Sequence, residues 1–214
     1  MNTSPQSIRN DKLGPQVAQA LRDRNFDARY YSHREEAISA ILSLIPKTDT
    51  VSWGGSMTIE ALGIQDRLAS LGLRVIDRDA APTREERLER MRQALLCDTF
   101  LTSANAISED GCLVNVDGFG NRVGAMLFGP KQVIVAAGLN KVVKTLEDAV
   151  TRARTIAAPL NMQRFSALKT PCAETGKCGN CKSPDSICSY IVTLRLCKPA
   201  GRIKVVLIGE SLGL

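Results

Sequence analysis

The sequence predicts a three-layer α/β protein with a central, largely parallel sheet. Short apolar segments of strand length alternate with segments whose apolar residues recur at helical spacing. The strand-length segments, such as 132–136, are apolar almost throughout, which is typical of strands buried on both faces of a parallel sheet. An apolar segment at 202–209 returns after a long polar stretch, which indicates one continuous domain.

The first half of the chain supplies four helices and two strands in this prediction. Helical spacing of apolar residues predicts helices at 16–24, at 34–44, after Ser56 to about 71, and at 83–96. Pro46 ends the second of these helices, and a Thr83–Glu86 capping box begins the fourth. Two short apolar segments between them predict strands at 50–53 and 73–76.

The second half contains more strands than helices. Apolar segments predict strands at 100–103, 112–116, 132–136 and 202–209. A short helix is predicted after Asn121, and Thr145 caps another that extends to about residue 157. We therefore divide the chain into an N-terminal tail at 1–13 and one α/β domain at 14–214, with a cysteine-rich segment at 170–189 inserted before the last strand.

Bulk composition excludes several classes of protein. The 214 residues are 44% hydrophobic and 23% charged, which fits a globular protein rather than a disordered one. No apolar run approaches the roughly 20 residues that span a bilayer, and the polar N-terminus does not resemble a signal peptide. We therefore expect a cytoplasmic protein with no membrane partner. The net charge of +6 is spread over alternating acids and bases, and aromatic residues are only 4%, so nucleic-acid binding is not favoured.

The cysteine-rich segment carries the strongest chemical signal. Its spacing is C-x5-C-x2-C-x6-C, with thiols at Cys172, Cys178, Cys181 and Cys188. Clustered thiols in a reducing compartment indicate metal or redox chemistry rather than disulfides. The single close pair is unlike the two C-x2-C knuckles of a zinc ribbon, so an iron–sulfur cluster, most simply [4Fe–4S], is the leading prediction. Zinc and unligated redox thiols stay open.

The three other cysteines lie inside apolar patterns. Cys97, Cys112 and Cys197 are predicted to be core residues. Cys197 follows the segment closely enough to be an alternative ligand.

Two polar constellations predict a pocket for a small anion. Gly54-Gly55-Ser56 follows a strand and precedes a helix, so its backbone N–H groups, with the hydroxyls of Ser56 and Thr58, are suited to a phosphate or carboxylate. A tight turn with Ser56 as N-cap is the structural alternative. The second constellation lies at strand ends, where open α/β sheets bind ligands, and comprises Ser103, Asn105, Asn115, Asp117, Gly118, Gly120, Asn121 and Arg122.

Glu109 and Asp117 are the candidate catalytic carboxylates. The structural alternative for both is hairpin turn chemistry at Glu109-Asp110-Gly111 and Asp117-Gly118. His33 is the only histidine and precedes a helix, so a catalytic triad is not supported.

The motifs in order resemble the lactate-utilisation (LUD) domain family, in its cysteine-cluster-containing branch. The segments that carry the resemblance are Val51-Ser-Trp-Gly-Gly-Ser-Met-Thr58, Leu101-Thr-Ser-Ala-Asn-Ala-Ile107, Leu113-Val-Asn-Val-Asp-Gly-Phe-Gly-Asn-Arg-Val123, Phe128-Gly-Pro-Lys131, Ala157-Ala-Pro-Leu-Asn161 and the cysteine segment, and together they cover roughly 12–214. The resemblance implies a NagB/RpiA/CoA-transferase-like fold and a place in oxidation of L-lactate to pyruvate beside iron–sulfur partner proteins.

The same resemblance bears on enzymatic activity. Asn105 stands where sugar-phosphate isomerases of this fold group carry a proton-transferring acid, and an amide cannot transfer that proton. Ser108-Glu-Asp-Gly111 resembles the segment around the nucleophilic glutamate of CoA transferases. Whether the chain is an enzyme is left open.

Two classes of function follow. The first is an iron–sulfur-binding subunit or accessory protein of lactate or organic-acid oxidation, with a small organic acid or phosphorylated compound as its ligand. The second is a NagB-like transferase or isomerase with a structural zinc, or a ligand-binding protein without activity. A homodimer is compatible with both.

Overall fold

The computed structural model describes residues 4–214, which form two sheets and their covering helices. The helices are α1 Pro5–Asp23, α2 Arg34–Ser43, α3 Met57–Ala61, α4 Ile64–Ser70, α5 Arg84–Gln93, α6 Asn121–Leu127, α7 Leu146–Arg152, α8 Ala158–Met162 and α9 Pro171–Thr175, and a π-helical turn Ala153–Ala157 joins α7 to α8. The strands are β1 Asp27–Tyr31, β2 Thr50–Trp53, β3 Arg74–Ile76, β4 Thr99–Thr102, β5 Ala106–Ser108, β6 Leu113–Asp117, β7 Gln132–Gly138, β8 Val142–Val143, β9 Tyr190–Leu194 and β10 Ile203–Ile208.

The central sheet has six strands in the order β1-β10-β7-β4-β2-β3, and all five pairings are parallel. In β10, Val205 and Leu207 face one apolar cluster, while Val206 and Ile208 face another. Both faces are therefore buried, which explains why the strand is apolar on consecutive residues. The three-layer α/β class and the largely parallel sheet predicted from the sequence are confirmed.

Helices cover the two faces unequally. One face packs against α2, α3 and α4 through side chains such as Ile41, Ile59 and Leu68. The other packs against α1, through Val17 and Leu21, and against a second, smaller sheet. None of the helices in residues 4–214 is long and apolar enough to cross a bilayer.

The second sheet has the order β8-β5-β6-β9 and was not predicted as a separate sheet. It holds the strand predicted at 112–116, which pairs antiparallel with both β5 and β9. Ile107, Leu113 and Leu194 face the first core, whereas Ala106, Val114 and Val116 face α7 and the π-helical turn. The strand is buried on both faces, so its apolar pattern alone cannot distinguish it from a parallel strand.

The chain start differs from the predicted tail. Helix α1 begins at Pro5, and the Ser4 side chain caps it by accepting a hydrogen bond from the Ser7 amide at 3.2 Å. Proline suits the first helical position, where its missing N–H would have no partner. The first turns are polar and largely exposed, so apolar periodicity did not reveal them, and residues 1–3 of the predicted tail lie outside the described residues.

Two further differences concern strands. Edge strand β1, absent from the prediction, buries only Ala28 fully and exposes polar side chains. The cysteine-rich segment precedes two strands rather than one, because β9 follows it before β10. Strand β9 is mostly exposed although its sequence, Tyr-Ile-Val-Thr-Leu, is largely apolar, and it was missed beside the cysteine-rich segment.

Candidate functional site

The carboxyl ends of the parallel strands meet at one edge of the central sheet, which positions the predicted polar residues. Gly54-Gly55-Ser56, the glycine turn, follows β2, and Ser103 to Asn105 follow β4. Two basic residues not singled out from the sequence also follow strands here: Arg78 after β3 and Lys141 after β7. This edge therefore collects polar and basic groups from four strands.

Arg122 is the centre of the polar residues predicted for the pocket. Its Nη1 donates to Ser103 O at 2.9 Å and to Asn115 Oδ1 at 2.7 Å. Its Nη2 donates to Asn105 Oδ1 at 2.9 Å and to Val116 O at 2.7 Å. The guanidinium thus ties the end of β4 to β6, and these contacts with the Asp117 ion pair are called the Arg122 network below.

Asp117 completes this network. Its Oδ2 lies 3.7 Å from Arg122 Nε, and its carboxylate also accepts hydrogen bonds from the Gly120 and Val123 amides at 3.0 and 3.2 Å. Burial lowers the pKa of Arg122, while the Asp117 charge opposes that shift. The carboxylate therefore has the turn-forming role that was the structural alternative for Asp117-Gly118. Gly120, in the left-handed region at φ +81°, and Asn121 form this same turn and the start of α6.

The glycine turn is lined by arginine side chains. A Cβ on Gly54 would lie 2.9 Å from Arg122 Cγ and Cδ, and one on Gly55 would lie 2.6 Å from Arg78 Nη2. A side chain at position 54 would collide with the stem of Arg122, whereas one at position 55 would require the end of the Arg78 side chain to move. Ser56 caps α3 by accepting from the Ile59 amide at 3.3 Å, which matches the structural alternative for that residue.

Lys141 is buried at the same edge without a carboxylate partner. Its Nζ contacts Thr58 Oγ1 at 2.9 Å, Ser103 Oγ at 3.0 Å and Ala104 O at 3.2 Å, and the residue is 3% exposed. Burial, followed by the charges of Arg152 and Arg122, lowers its pKa to about 7. Thr58 and Ser103, predicted as ligand residues, thus serve here as acceptors for this amine.

The low pKa of Lys141 predicts a distinctive pH dependence of stability. The unfolded lysine keeps its proton up to about pH 10.4, whereas the folded lysine loses it near pH 7. Between these values the unfolded state binds more protons, so the free energy of unfolding rises with pH. Between pH 7.5 and 9.5 the rise from this residue should be about 2–3 kcal/mol. Urea unfolding at several pH values measures it.

A Lys141→Met variant is the control for this prediction. All other titrating groups are shared, so the difference between the two stability curves isolates Lys141. The free energy of unfolding of the variant should not rise in this way with pH. The variant should therefore be most stable relative to the parent protein below pH 7. Parallel curves across the range would contradict a buried, easily deprotonated amine.

The two candidate catalytic carboxylates do not come together. Glu109 follows β5 and pairs with Lys144 Nζ at 2.6 Å, whereas Asp117 ends the antiparallel strand β6. Because Ile107 pairs with Leu113 and Ala106 with Val114, the two carboxylates lie at opposite ends of this hairpin. The geometry does not provide an acid–base pair from these residues.

The cysteine loop, residues 170–189, folds back on itself. Lys169, which immediately precedes it, donates its amide to Asp185 Oδ2 at 2.9 Å, and its carbonyl accepts from Ser183 Oγ at 2.9 Å. A Cβ on Gly179 would lie 3.0 Å from Pro171 Cβ, so the turn between Cys178 and Cys181 approaches the start of α9. These contacts bring the first three cysteines of the loop into one region.

The last cysteine joins them. Cys188 packs against the apolar cluster beneath β6, and the backbone of Ile187 contacts Gly118 at the end of that strand. Burial, followed by the charges of Cys172, Cys178 and Cys181, raises the pKa of the Cys188 thiol to about 11. Within residues 4–214, no three His, Cys, Asp or Glu side chains are arranged to hold a metal ion in the conformation described.

Exposure differs among the four thiols. Cys172 is buried, Cys181 and Cys188 are half-buried, and Cys178 is exposed. Arg154 reaches the loop from the π-helical turn and donates to Asn180 Oδ1. By contrast Cys97, Cys112 and Cys197 are at most 2% exposed, which confirms their assignment to the core. The thiol of Cys197 lies in the large core and donates a hydrogen bond to Pro199 O at 3.1 Å.

Three basic residues of the site were missed in the sequence: Arg78, Lys141 and Arg152. Arg152 donates to Asn105 O and Asn140 O from α7. A usable signal existed for Arg78 and Lys141, because each follows an apolar strand by two or three residues. Arg152 lies on a helix in a mixed sequence and offered no comparable signal.

Comparisons with known proteins identify a matching sequence family and a similar solved structure. The sequence model of the LUD domain matches residues 15–208. The fold is similar to the crystal structure of a DUF162 family protein from Deinococcus radiodurans, with 14% identity and a TM-score of 0.52, over 93% of this chain and 97% of that chain. At this identity the likeness concerns the fold alone. No curated protein matches the chain.

Proposed function

Because the chain belongs to the LUD domain family, a family related to lactate utilisation, we propose that it is an iron–sulfur-binding subunit or accessory protein of L-lactate or organic-acid oxidation. The observation that supports this proposal is the presence of Cys172, Cys178, Cys181 and Cys188 in one loop whose ends are joined by hydrogen bonds. These four thiols would hold the cluster. When bound, an iron–sulfur cluster accepts and donates single electrons.

The chemistry of the four ligands supports the fit. Thiolates are the preferred protein ligands of iron–sulfur clusters, and they must be deprotonated to bind. Without a cation, thiolate charges brought together repel one another, which is one reason that the pKa of Cys188 is raised. A bound metal centre would relieve that repulsion. The partly exposed positions of Cys178 and Cys181 leave the loop open to assembly of the cluster from solution.

The loop also adjoins the polar edge of the sheet. Ile187 contacts Gly118, which directly follows the Asp117 of the Arg122 network. A cluster in the loop would therefore lie beside strand β6, whose Asn115 belongs to that network. This arrangement suits a protein in which an organic acid and an electron carrier occupy neighbouring sites.

Anaerobic purification followed by metal and sulfide analysis tests the proposal. We expect a brown protein with about four irons and about four sulfides per chain, whose visible absorption bleaches on reduction. A colourless protein with about one zinc per chain would contradict the redox role and make the loop a structural site. Analysis of the same preparation for both metals decides between these outcomes.

A further inference from the structure

Arg78 is a buried cation that lacks the partners such a group normally has. The residue is 9% exposed, and its Nε is fully buried with no hydrogen-bond partner. The adjacent Asp79 carboxylate lies 3.5 Å from Nε and is already bound by Arg87 at 2.8 Å. Burying an arginine in this state is costly unless another group completes its hydrogen bonds.

The guanidinium lies directly over the glycine turn. A Cβ on Gly55 would lie 2.6 Å from Arg78 Nη2, so this nitrogen is held against the backbone of the turn. The backbone N–H groups of Gly55 and Ser56 make no hydrogen bonds to the residues that the structure describes. Arginine donors and free backbone donors therefore occur together at the same exposed turn.

A second buried donor without a partner belongs to the same cluster. Asn115 is 0% exposed, and its Nδ2 has no hydrogen-bond partner, while its Oδ1 accepts from Arg122. The stem of Arg122 in turn contacts Gly54 of the glycine turn. Buried donors of this kind are rare in proteins, and each calls for a missing partner.

The local charge favours an anion. Three nearly buried arginines lie along this edge, Arg78, Arg122 and Arg152, and the carboxylates that interact with them are Asp79 and Asp117. The Asp117 carboxylate is already paired with Arg122, and the Asp79 carboxylate is shared with Arg87. The excess of buried positive charge would be balanced by a ligand that carries negative charge.

We propose that Arg78 and the glycine turn bind the carboxylate of a small organic acid, with the Asn115 amide as a further donor. A guanidinium presents two parallel N–H groups that match the two oxygens of a carboxylate, which a lysine in the same place would not do. The class of ligand rests on the proposed function, whereas the site itself rests on the unpartnered donors.

Calorimetric titration of the full-length protein with L-lactate, with pyruvate and with inorganic phosphate tests this site. We expect the parent protein to bind one of the two organic acids, and Arg78→Gln to weaken that binding at least tenfold. Arg78→Lys, which keeps the charge, should also weaken it because the paired N–H groups are lost. The matched control is Arg92→Gln, which removes an arginine that is 70% exposed and pairs with Glu89 on the surface, and it should bind within about twofold of the parent.

A second variant and metal analysis distinguish the possible outcomes of this titration. Gly55→Ala would displace the Arg78 side chain while keeping its charge, so it should weaken binding even if Arg78→Gln fails to fold. Failure of the parent to bind either acid, binding of phosphate alone, or equal binding by Arg78→Gln would overturn this inference. Iron and sulfide are measured on each preparation: a normal cluster without acid binding would reject only this site, whereas acid binding without a cluster would reject only the proposed cluster.

Discussion

Replacing Arg122 by methionine should lower the free energy of unfolding by about 3–5 kcal/mol, the range seen when one partner of a buried ion pair is removed. Methionine keeps the aliphatic stem that packs on Gly54 but removes the guanidinium. The variant leaves Asp117 without its cation and the Oδ1 atoms of Asn105 and Asn115 without their arginine donor. Urea unfolding followed by circular dichroism measures the loss.

The control is Arg92→Met on helix α5. The Arg92 side chain is 70% exposed, and its ion pair with Glu89 at 3.3 Å lies on the surface. Surface pairs of this type contribute little, so the change should stay within about 0.5 kcal/mol. A loss below about 1 kcal/mol in Arg122→Met would show that the network is solvated and does not hold β4 against β6.

This network also shows how far sequence reasoning reaches. The sequence placed Asn105, Asn115, Asp117 and Arg122 together because all lie near strand ends. The sequence could not show that these side chains form hydrogen bonds and an ion pair with one another, because those contacts depend on the path of β6. That strand turns back antiparallel in a second sheet, and so the Arg122 guanidinium is bonded by oxygens from the end of β4 and from β6.

The fold was predictable where burial leaves a periodic signal. Strands β7 and β10 are buried on both faces, and their apolar sequences identified them directly. Strand β1 and the first turns of α1 are exposed and polar, and their conformation depends on long-range contacts such as the Tyr30 hydroxyl donating to Asp11 at 2.7 Å. Contacts between residues distant in sequence leave no local pattern to find.

The cysteine loop was the opposite case, since spacing alone identified the four thiols while the structure supplied their surroundings. The contact of Ile187 with Gly118, which puts the loop against the end of β6, could not be read from spacing. The same holds for the reach of Arg154 to Asn180. These contacts connect the predicted metal site to the polar edge of the sheet.

Replacing Cys188 by serine should abolish the proposed cluster, with iron falling from the expected value of about four per chain to near zero. Cys188 is half-buried and packs against the apolar cluster beneath β6, so it is the thiol of the loop that the fold anchors to the second sheet. A serine hydroxyl is a much poorer ligand for iron than a thiolate, because iron–sulfur centres select soft thiolate donors. Iron and sulfide assays, with the visible spectrum of the anaerobically purified variant, measure the loss.

Two further serine variants separate loss of a ligand from loss of a buried thiol. Cys97→Ser changes a 2% exposed cysteine outside the loop, and its hydroxyl can still donate to Thr99 O, so its iron content should match the parent. Cys197→Ser tests the alternative ligand suggested by spacing. Cys197 lies in the large core, and its thiol donates a hydrogen bond to Pro199 O. Its replacement should therefore also leave the iron content of the protein unchanged. Full iron in Cys188→Ser together with its loss in Cys197→Ser would move the fourth ligand to Cys197, and the loop would then have to open away from β6 to reach it.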